Sequence, residues 1–106
     1  MAFGLENNTI EKIKVCLNKN PRIEKAILYG SRAKGNYRNG SDIDLVLIGR
    51  DMKFEDLAQL ENEIDELLLP YKFDISIYHQ INNPDLLEHI KRVGKIFFEQ
   101  LKPKKS

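Results

Sequence analysis

Residues 30–45 read Gly-Ser-Arg-Ala-Lys-Gly-Asn-Tyr-Arg-Asn-Gly-Ser-Asp-Ile-Asp-Leu, so ten residues separate a Gly-Ser pair from an Asp-x-Asp. Apolar runs precede the glycine and follow the second aspartate. A strand that ends in Gly30-Ser31 and opens a helix directs backbone N–H groups and a hydroxyl at one point, where phosphate is stabilised. Residues i and i+2 of a strand face the same way, so Asp42 and Asp44 present two carboxylates side by side. Oxygen donors beside a phosphate cradle suit Mg²⁺, which predicts phosphoryl or nucleotidyl transfer.

A third carboxylate, Asp74, interrupts an alternating strand pattern at residues 72–78, Lys-Phe-Asp-Ile-Ser-Ile-Tyr. Aspartate is disfavoured within strands, so its presence there has either a local reason, such as a hydrogen bond to a loop, or a functional one. Asp42 and Asp44 break the pattern of their own strand in the same way. Two strands that are both interrupted by acids favour a shared three-carboxylate site over the local explanation.

The hydrophobic pattern predicts the element order α-β-α-β-α-β-α. The predicted bounds are, in chain order, a helix from a cap at Asn8 to Asn20-Pro21, a strand over 24–29, a short helix from Ser31, a strand over 42–48, a helix over 54–69, a strand over 72–78, and a helix that begins at Asn83-Pro84-Asp85 and carries an apolar stripe to Phe97. We therefore expect an α+β fold with a small mixed β-sheet and helices packed mainly on one face. The dozen residues between the first two strands leave their relative direction open.

Composition excludes several classes of protein. The chain has 106 residues, enough for one domain, and its net charge of +1 argues against strong nucleic-acid binding. Cys16 is the only cysteine and lies on a predicted apolar stripe, which suits packing in a reducing cytosol. No signal peptide or membrane-length apolar run is present in the sequence, so we expect a soluble cytoplasmic protein without a membrane partner. The basic residues 102–106 are expected to form a disordered tail.

The combination of Gly30-Ser31, ten residues, Asp42-x-Asp44 and a later strand with Asp74 resembles the DNA polymerase β-like nucleotidyltransferase superfamily. Within it, the chain looks like the minimal nucleotidyltransferases, the antitoxin-type partners of HEPN-domain or related helical-bundle proteins. The resemblance covers almost the whole chain and shows no departure at the three acidic positions. It implies a nucleotidyltransferase fold with a mixed sheet, in one domain over residues 1–101, with the three acids on one exposed rim.

The resemblance also implies roles for the acids. Asp42, Asp44 and Asp74 would bind two Mg²⁺ ions, and Asp74 could accept the proton of the attacking hydroxyl. His79 and His89 have no spacing that suggests shared ligation, and a hard Mg²⁺ site prefers oxygen, so we interpret both as structural or surface residues.

ATP is the nucleotide donor that the resemblance implies. Ser31 with its backbone N–H would bind the β or γ phosphate next to Gly30, and Lys34 falls where the family often keeps a basic phosphate contact. Arg32 and Arg38 are weaker candidates for the nucleotide, because basic residues in exposed loops are usually only solvated.

The first functional hypothesis is a Mg²⁺-dependent enzyme that moves AMP from ATP to a hydroxyl. After the third predicted strand only one helix remains, so we expect a second protein to supply the acceptor pocket. The resemblance suggests a helical HEPN-type toxin modified on a tyrosine, or a helical substrate-binding protein. The alternatives are a non-catalytic module that neutralises its partner by occlusion, and a small-molecule nucleotidyltransferase of the aminoglycoside-modifying kind. The oligomeric state stays open, and a homo-oligomer is compatible with the sequence.

Overall fold

The computed structural model describes residues 1–100. The end of the predicted domain at residue 101 and the predicted tail at 102–106 lie outside the described residues. The elements, in chain order, are α1 (Asn7–Asn18), β1 (Lys25–Tyr29), α2 (Gly30–Lys34), β2 (Ile43–Ile48), α3 (Phe54–Asp65), β3 (Phe73–Ile77), a 3-10 turn (Tyr78–Gln80), α4 (Pro84–Val93) and β4 (Lys95–Glu99). No helix among them is long and apolar enough to cross a membrane.

The four strands form one mixed sheet in the order β3-β2-β1-β4. The β1–β2 and β1–β4 pairs are antiparallel, whereas β2 and β3 run parallel. The connection between β1 and β2 is therefore a return, not a crossover, which resolves the direction that the sequence left open. The expected α+β fold with a small mixed sheet is confirmed.

Each face of the sheet carries its own apolar cluster. On one face, α1 and α3 cover the main core, which includes the fully buried Leu28, Leu45 and Leu47. On the other face, α4 packs through Ile90 against Tyr29 and Val46 and leaves the rest of that face more open. Two of the three long helices thus share one face, as expected. The period-2 alternation of the strands decides this arrangement, because it sends neighbouring residues to opposite faces.

The fourth strand differs from the sequence-based prediction, in which the apolar stripe of the last helix continued to Phe97. The helix ends at Val93 because Gly94 adopts an extended conformation, with φ −60° and ψ 142°. The next residues include Ile96, Phe97 and Phe98, which favour strands, and they pair with the free edge of β1. Val93 and Phe97 are spaced like residues on one face of a helix, but Gly94 between them is the signal that marks the end of the helix.

Other predicted helix bounds also differ from the structure: α1 ends at Asn18, before Asn20-Pro21, and α2 begins at Gly30, one residue before Ser31. The first helix begins at Asn7 with Glu6 at the N-cap position, so Asn8 does not cap it. The third helix ends at Asp65, and turns follow it to Leu68, whose φ of +56° is incompatible with a continuing right-handed helix. The start of α4 is as predicted, since the Asn83 side chain accepts a hydrogen bond from the Asp85 N–H at 2.9 Å.

Candidate active site

The parallel pairing of β2 and β3 aligns two of the predicted carboxylates. Asp44 and Asp74 are direct register partners, and both occupy the face opposite to the main core. On the other side of β2, Tyr29 is the register partner of Asp44. Asp42 lies two residues before Asp44, just ahead of the strand. The sheet therefore places a row of Tyr29, Asp44 and Asp74 across three neighbouring strands, with Asp42 at its margin.

The three aspartates differ in exposure. Asp42 and Asp74 are exposed, whereas Asp44 is half-buried. Burial, followed by the negative charges of Asp74 and Asp42, raises the pKa of Asp44 above its ordinary value. Burial and the charges of Asp74 and Asp44 likewise raise the pKa of Tyr29 to about 12. These carboxylates thus act on one another, as acids that share one site are expected to do.

Gly30 is required at the junction of β1 and α2 for two reasons. Its φ of +77° lies in the region that glycine adopts without strain. A Cβ atom built on it would come within 2.2 Å of Asp44 Oδ2. The glycine therefore lets the aspartate carboxylate approach the backbone directly in front of Ser31. The two halves of the motif, ten residues apart in the chain, are in contact in the fold.

The nucleotide-binding candidates Ser31 and Lys34 both lie in α2, near its start and at its end. Ser31 is half-buried next to Gly30, and Lys34 is exposed in the last position of the helix. Lys34 forms no ion pair with any residue of the described range 1–100. Its ammonium group is therefore available to a phosphate.

Arg32 faces the protein interior instead of the proposed nucleotide. Its side chain is only 3% exposed, Nη1 donates to the Phe3 carbonyl at 2.9 Å, and Nε and Nη2 donate to the Ser41 carbonyl at 3.1 and 2.9 Å. The guanidinium also lies over the rings of Tyr37 and Tyr71, 5.3 and 5.1 Å from their centroids. We therefore do not retain Arg32 as a phosphate ligand, because its donors already hold the segment that leads into Asp42.

The donor set of this edge suits a divalent metal ion bound together with nucleotide. Within residues 1–100, no three His, Cys, Asp or Glu side chains converge closely enough to enclose a metal ion by themselves. Mg²⁺ is commonly held by one or two carboxylates and completes its octahedron with substrate phosphates and water. Asp44 and Asp74, with Asp42 beside them, offer hard oxygens of this kind on an exposed rim. The residues fit an ion that arrives with a polyphosphate, and they do not form a closed protein cage.

A groove beside β3 lies apart from the aspartates. It has a volume of about 610 Å³ between α3 and the strand, and its walls include Ile64, Tyr71, Phe73 and Ile75. The last two of these residues face the main core side of the sheet, whereas Asp74 between them faces the opposite side. The chemistry indicated by the aspartates therefore belongs to the open rim and not to this groove.

Two residues of the rim, Tyr29 and His89, were not predicted from the sequence to belong to the site. Tyr29 is the last residue of β1, and its position directly before the motif glycine was a usable signal. His89 was interpreted as structural or surface, yet its Nε2 accepts a hydrogen bond from the Gly30 N–H at 3.2 Å. Nothing in its spacing could have shown this contact, because 59 residues separate the two partners.

Comparisons with known proteins agree with this geometry. The family model described as Polymerase beta, Nucleotidyltransferase matches residues 11–102. Two relatives from Methanocaldococcus jannaschii carry names that assign them provisionally as protein adenylyltransferases. The first is 37% identical over 81 residues, which cover 67% of this chain and 66% of the relative. The second is 44% identical over 50 residues, which cover 47% and 46%. The chain therefore spans 66% and 46% of the length of these two relatives.

Solved structures share the fold at low sequence identity. A chain from a crystal structure of a toxin–antitoxin with AMP-PNP superposes with a TM-score of 0.67 at 21% identity, over 91% of this chain and 75% of that chain. A chain from a structure of a tri-AMPylated Shewanella oneidensis HEPN toxin in complex with an MNT antitoxin gives 0.66 at 17% identity, over 91% and 74%. These values establish the common fold. The family predicted from the Gly-Ser and Asp-x-Asp motif is confirmed, and so is its enzyme class, the nucleotidyltransferases.

Proposed function

The chain belongs to the polymerase β nucleotidyltransferase family, and we propose that it transfers AMP from ATP to a hydroxyl group of a partner protein. The observation that supports this activity most strongly is the alignment of Asp44 and Asp74 on neighbouring parallel strands, with Gly30 shaped to admit the Asp44 carboxylate. A phosphate-binding turn and a row of acids, in direct contact, are the two parts that nucleotidyl transfer needs.

Each group of residues has its own role in the proposed reaction. Ser31 and Lys34 bind the triphosphate, and the carboxylates of Asp42, Asp44 and Asp74 hold Mg²⁺. When bound, the metal neutralises phosphate charge and favours the ionised form of the attacking hydroxyl. The acceptor oxygen forms a bond to the α-phosphorus, the bond to the bridging oxygen breaks, and pyrophosphate leaves. Asp74 is exposed, whereas its register partner Asp44 is half-buried. We therefore assign to Asp74 the role of accepting the proton of the acceptor hydroxyl.

The proposed acceptor is a tyrosine of a helical, HEPN-type partner, so that the chain acts as an antitoxin. The names of the Methanocaldococcus relatives support a protein as acceptor, and the AMPylated HEPN toxin of the Shewanella complex supports this class of partner. The rim around Asp74 is open, which leaves room for an acceptor segment from outside. We also propose two Mg²⁺ ions, by analogy with two-metal transfer reactions, and a cytoplasmic location, where the nucleotide and a reduced Cys16 would be found.

The reaction is tested by mixing the chain with ATP, Mg²⁺ and the helical partner, and measuring the intact mass of the partner. One or more AMP additions are expected with the wild-type chain. Asp42→Asn, Asp44→Asn and Asp74→Asn should each stop the addition, and their losses should not add because the three act as one unit. Asp51→Asn is the matched control, since Asp51 is exposed in the turn after β2 and lies outside the site. Protection of cells by all three inactive variants, without any mass increase, would establish the non-catalytic binding module instead.

Nucleotide binding is tested independently by thermal unfolding. ATP with Mg²⁺ should raise the melting temperature of the wild type, because a ligand that binds only the folded state stabilises it by mass action. Asp44→Asn should abolish that rise, while Asp51→Asn should keep it. An equal rise in the wild type and in Asp44→Asn would eliminate the carboxylates as the metal site.

A further inference from the structure

His89 joins α4 to the motif glycine. Its ring is half-buried, and Nε2 accepts a hydrogen bond from the Gly30 N–H at 3.2 Å. The Tyr29 ring meets the imidazole edge-on, with the centroids 6.0 Å apart and the planes at 81°. Nε2 thus offers its lone pair to the backbone N–H. The side chain is therefore held in place at the β1–α2 junction from two directions, by this hydrogen bond and by the Tyr29 ring.

Gly30 is held from two sides at this junction. His89 binds its N–H on one side, and Asp44 approaches on the other so closely that a Cβ would lie 2.2 Å from Oδ2. The backbone at a φ of +77° has no side chain of its own to restrict it. The orientation of the Gly30 peptide therefore depends on these outside contacts, and Ser31 follows directly in the chain.

We propose that His89 is a positioning residue for nucleotidyl transfer. It fixes the Gly30 peptide and thereby sets Ser31, on the phosphate side, relative to Asp44, on the metal side. This inference rests on the proposed function. An aliphatic side chain at position 89 would fill the space against Tyr29 equally well, but it would leave the Gly30 N–H without its acceptor. The role of the imidazole is thus the hydrogen bond to the backbone, not packing alone.

Two substitutions separate the hydrogen bond from packing. His89→Gln keeps an acceptor oxygen at a reach comparable to Nε2, whereas His89→Leu keeps only apolar bulk. Hydrogen exchange of the Gly30 amide, followed by NMR, should be about 2- to 10-fold faster in His89→Leu, as expected for one lost hydrogen bond, and close to wild type in His89→Gln. His79→Leu is the control, because His79 is exposed in the 3-10 turn and should leave the Gly30 amide unchanged.

Steady-state kinetics give the functional readout. His89→Leu should lower the turnover at saturating ATP about tenfold or more, since misplacing reacting groups slows the chemical step. His89→Gln should recover most of that loss. Unchanged Gly30 exchange in His89→Leu, or equal turnover in the Leu and Gln variants, would overturn the inference. The exchange measurement does not require activity, so a wild type that transfers no AMP would refute the proposed function while the contact itself is still tested.

Discussion

Replacing Arg32 by Met is the most demanding test of how the site is built. The guanidinium is 3% exposed and donates three hydrogen bonds, one to the Phe3 carbonyl and two to the Ser41 carbonyl. Methionine keeps an unbranched apolar stem like that of arginine, but it is shorter and has no donor. Both carbonyl oxygens would therefore lose their partners, and the segment that leads into Asp42 would lose its anchor.

The expected loss follows from these contacts. Two carbonyls that accept from a charged donor contribute about 3–6 kcal/mol together. The contacts with the rings of Tyr37 and Tyr71 add about 1–2 kcal/mol. The hydrogen-bond values are already net of desolvation, so the expected destabilisation is the sum of the two contributions, about 4–8 kcal/mol. This is a large part of the roughly 5–15 kcal/mol typical of a domain of this size.

Urea unfolding followed by circular dichroism measures this difference. Arg32→Lys should fall between the wild type and Arg32→Met, because one ammonium group cannot reproduce the planar fork that reaches both carbonyls. Arg38→Met is the matched control, since the Arg38 side chain is exposed, and it should change the free energy of unfolding by less than about 0.5 kcal/mol. A loss below about 1 kcal/mol in Arg32→Met would refute the reasoning, because the buried hydrogen bonds would then be worth no more than the desolvation they require.

Two further predictions concern the rim. Gly30→Ala should lower the free energy of unfolding in urea more than Gly40→Ala does. Both glycines have positive φ, at 77° and 83°, but only at Gly30 would the new Cβ collide with Asp44. Equal losses in the two variants would contradict the close approach of Asp44 to Gly30. Asp44→Asn should be at least as stable as the wild type at pH 7 and lose any advantage as the pH falls toward the ordinary carboxyl range. Burial and the charges of Asp74 and Asp42 raise the pKa of Asp44 in the folded state, so its ionisation costs stability above that range, and a less stable Asp44→Asn at pH 7 would be incompatible with this sign.

The fold was predictable where the sequence pattern and the tertiary structure agree. The apolar run that begins at Leu45 and the alternation around Ile75 identified the two strands that carry the aspartates, and the motif with its spacing identified the family. The fourth strand was not predictable in the same way, because the spacing of Val93 and Phe97 fits a helix and the free edge of β1 is visible only in three dimensions. Pairing with β1 makes residues 95–99 a strand, although the spacing of their apolar residues fits a helix.

The candidate site was predictable for residues that carry chemistry in their own side chains, and less so for those that hold others in place. Asp44 and Asp74 break an apolar pattern, which gives a visible signal. His89 and Arg32 act on backbone groups of Gly30, Phe3 and Ser41, and a sequence does not show which carbonyl or N–H a distant side chain will meet. Arg32 was expected to lie in an exposed loop and was a weaker nucleotide candidate for that reason, whereas it is buried in α2 and donates to internal acceptors.

The arrangement of the rim bears on the choice between an enzyme and a binding module. Asp44 is half-buried beside two other aspartates, and this raises its pKa, which means that the ionised site is held at a cost to folding. A module that only covers its partner gains nothing from that cost, and Asp44→Asn would relieve it. Gly30 points the same way, because its missing side chain lets the Asp44 carboxylate approach the Gly30-Ser31 turn, the proposed phosphate site. The fold keeps an unfavourable charge and has a glycine where that charge approaches the backbone. Catalysis explains this better, because the proposed metal and triphosphate would offset the repulsion on binding.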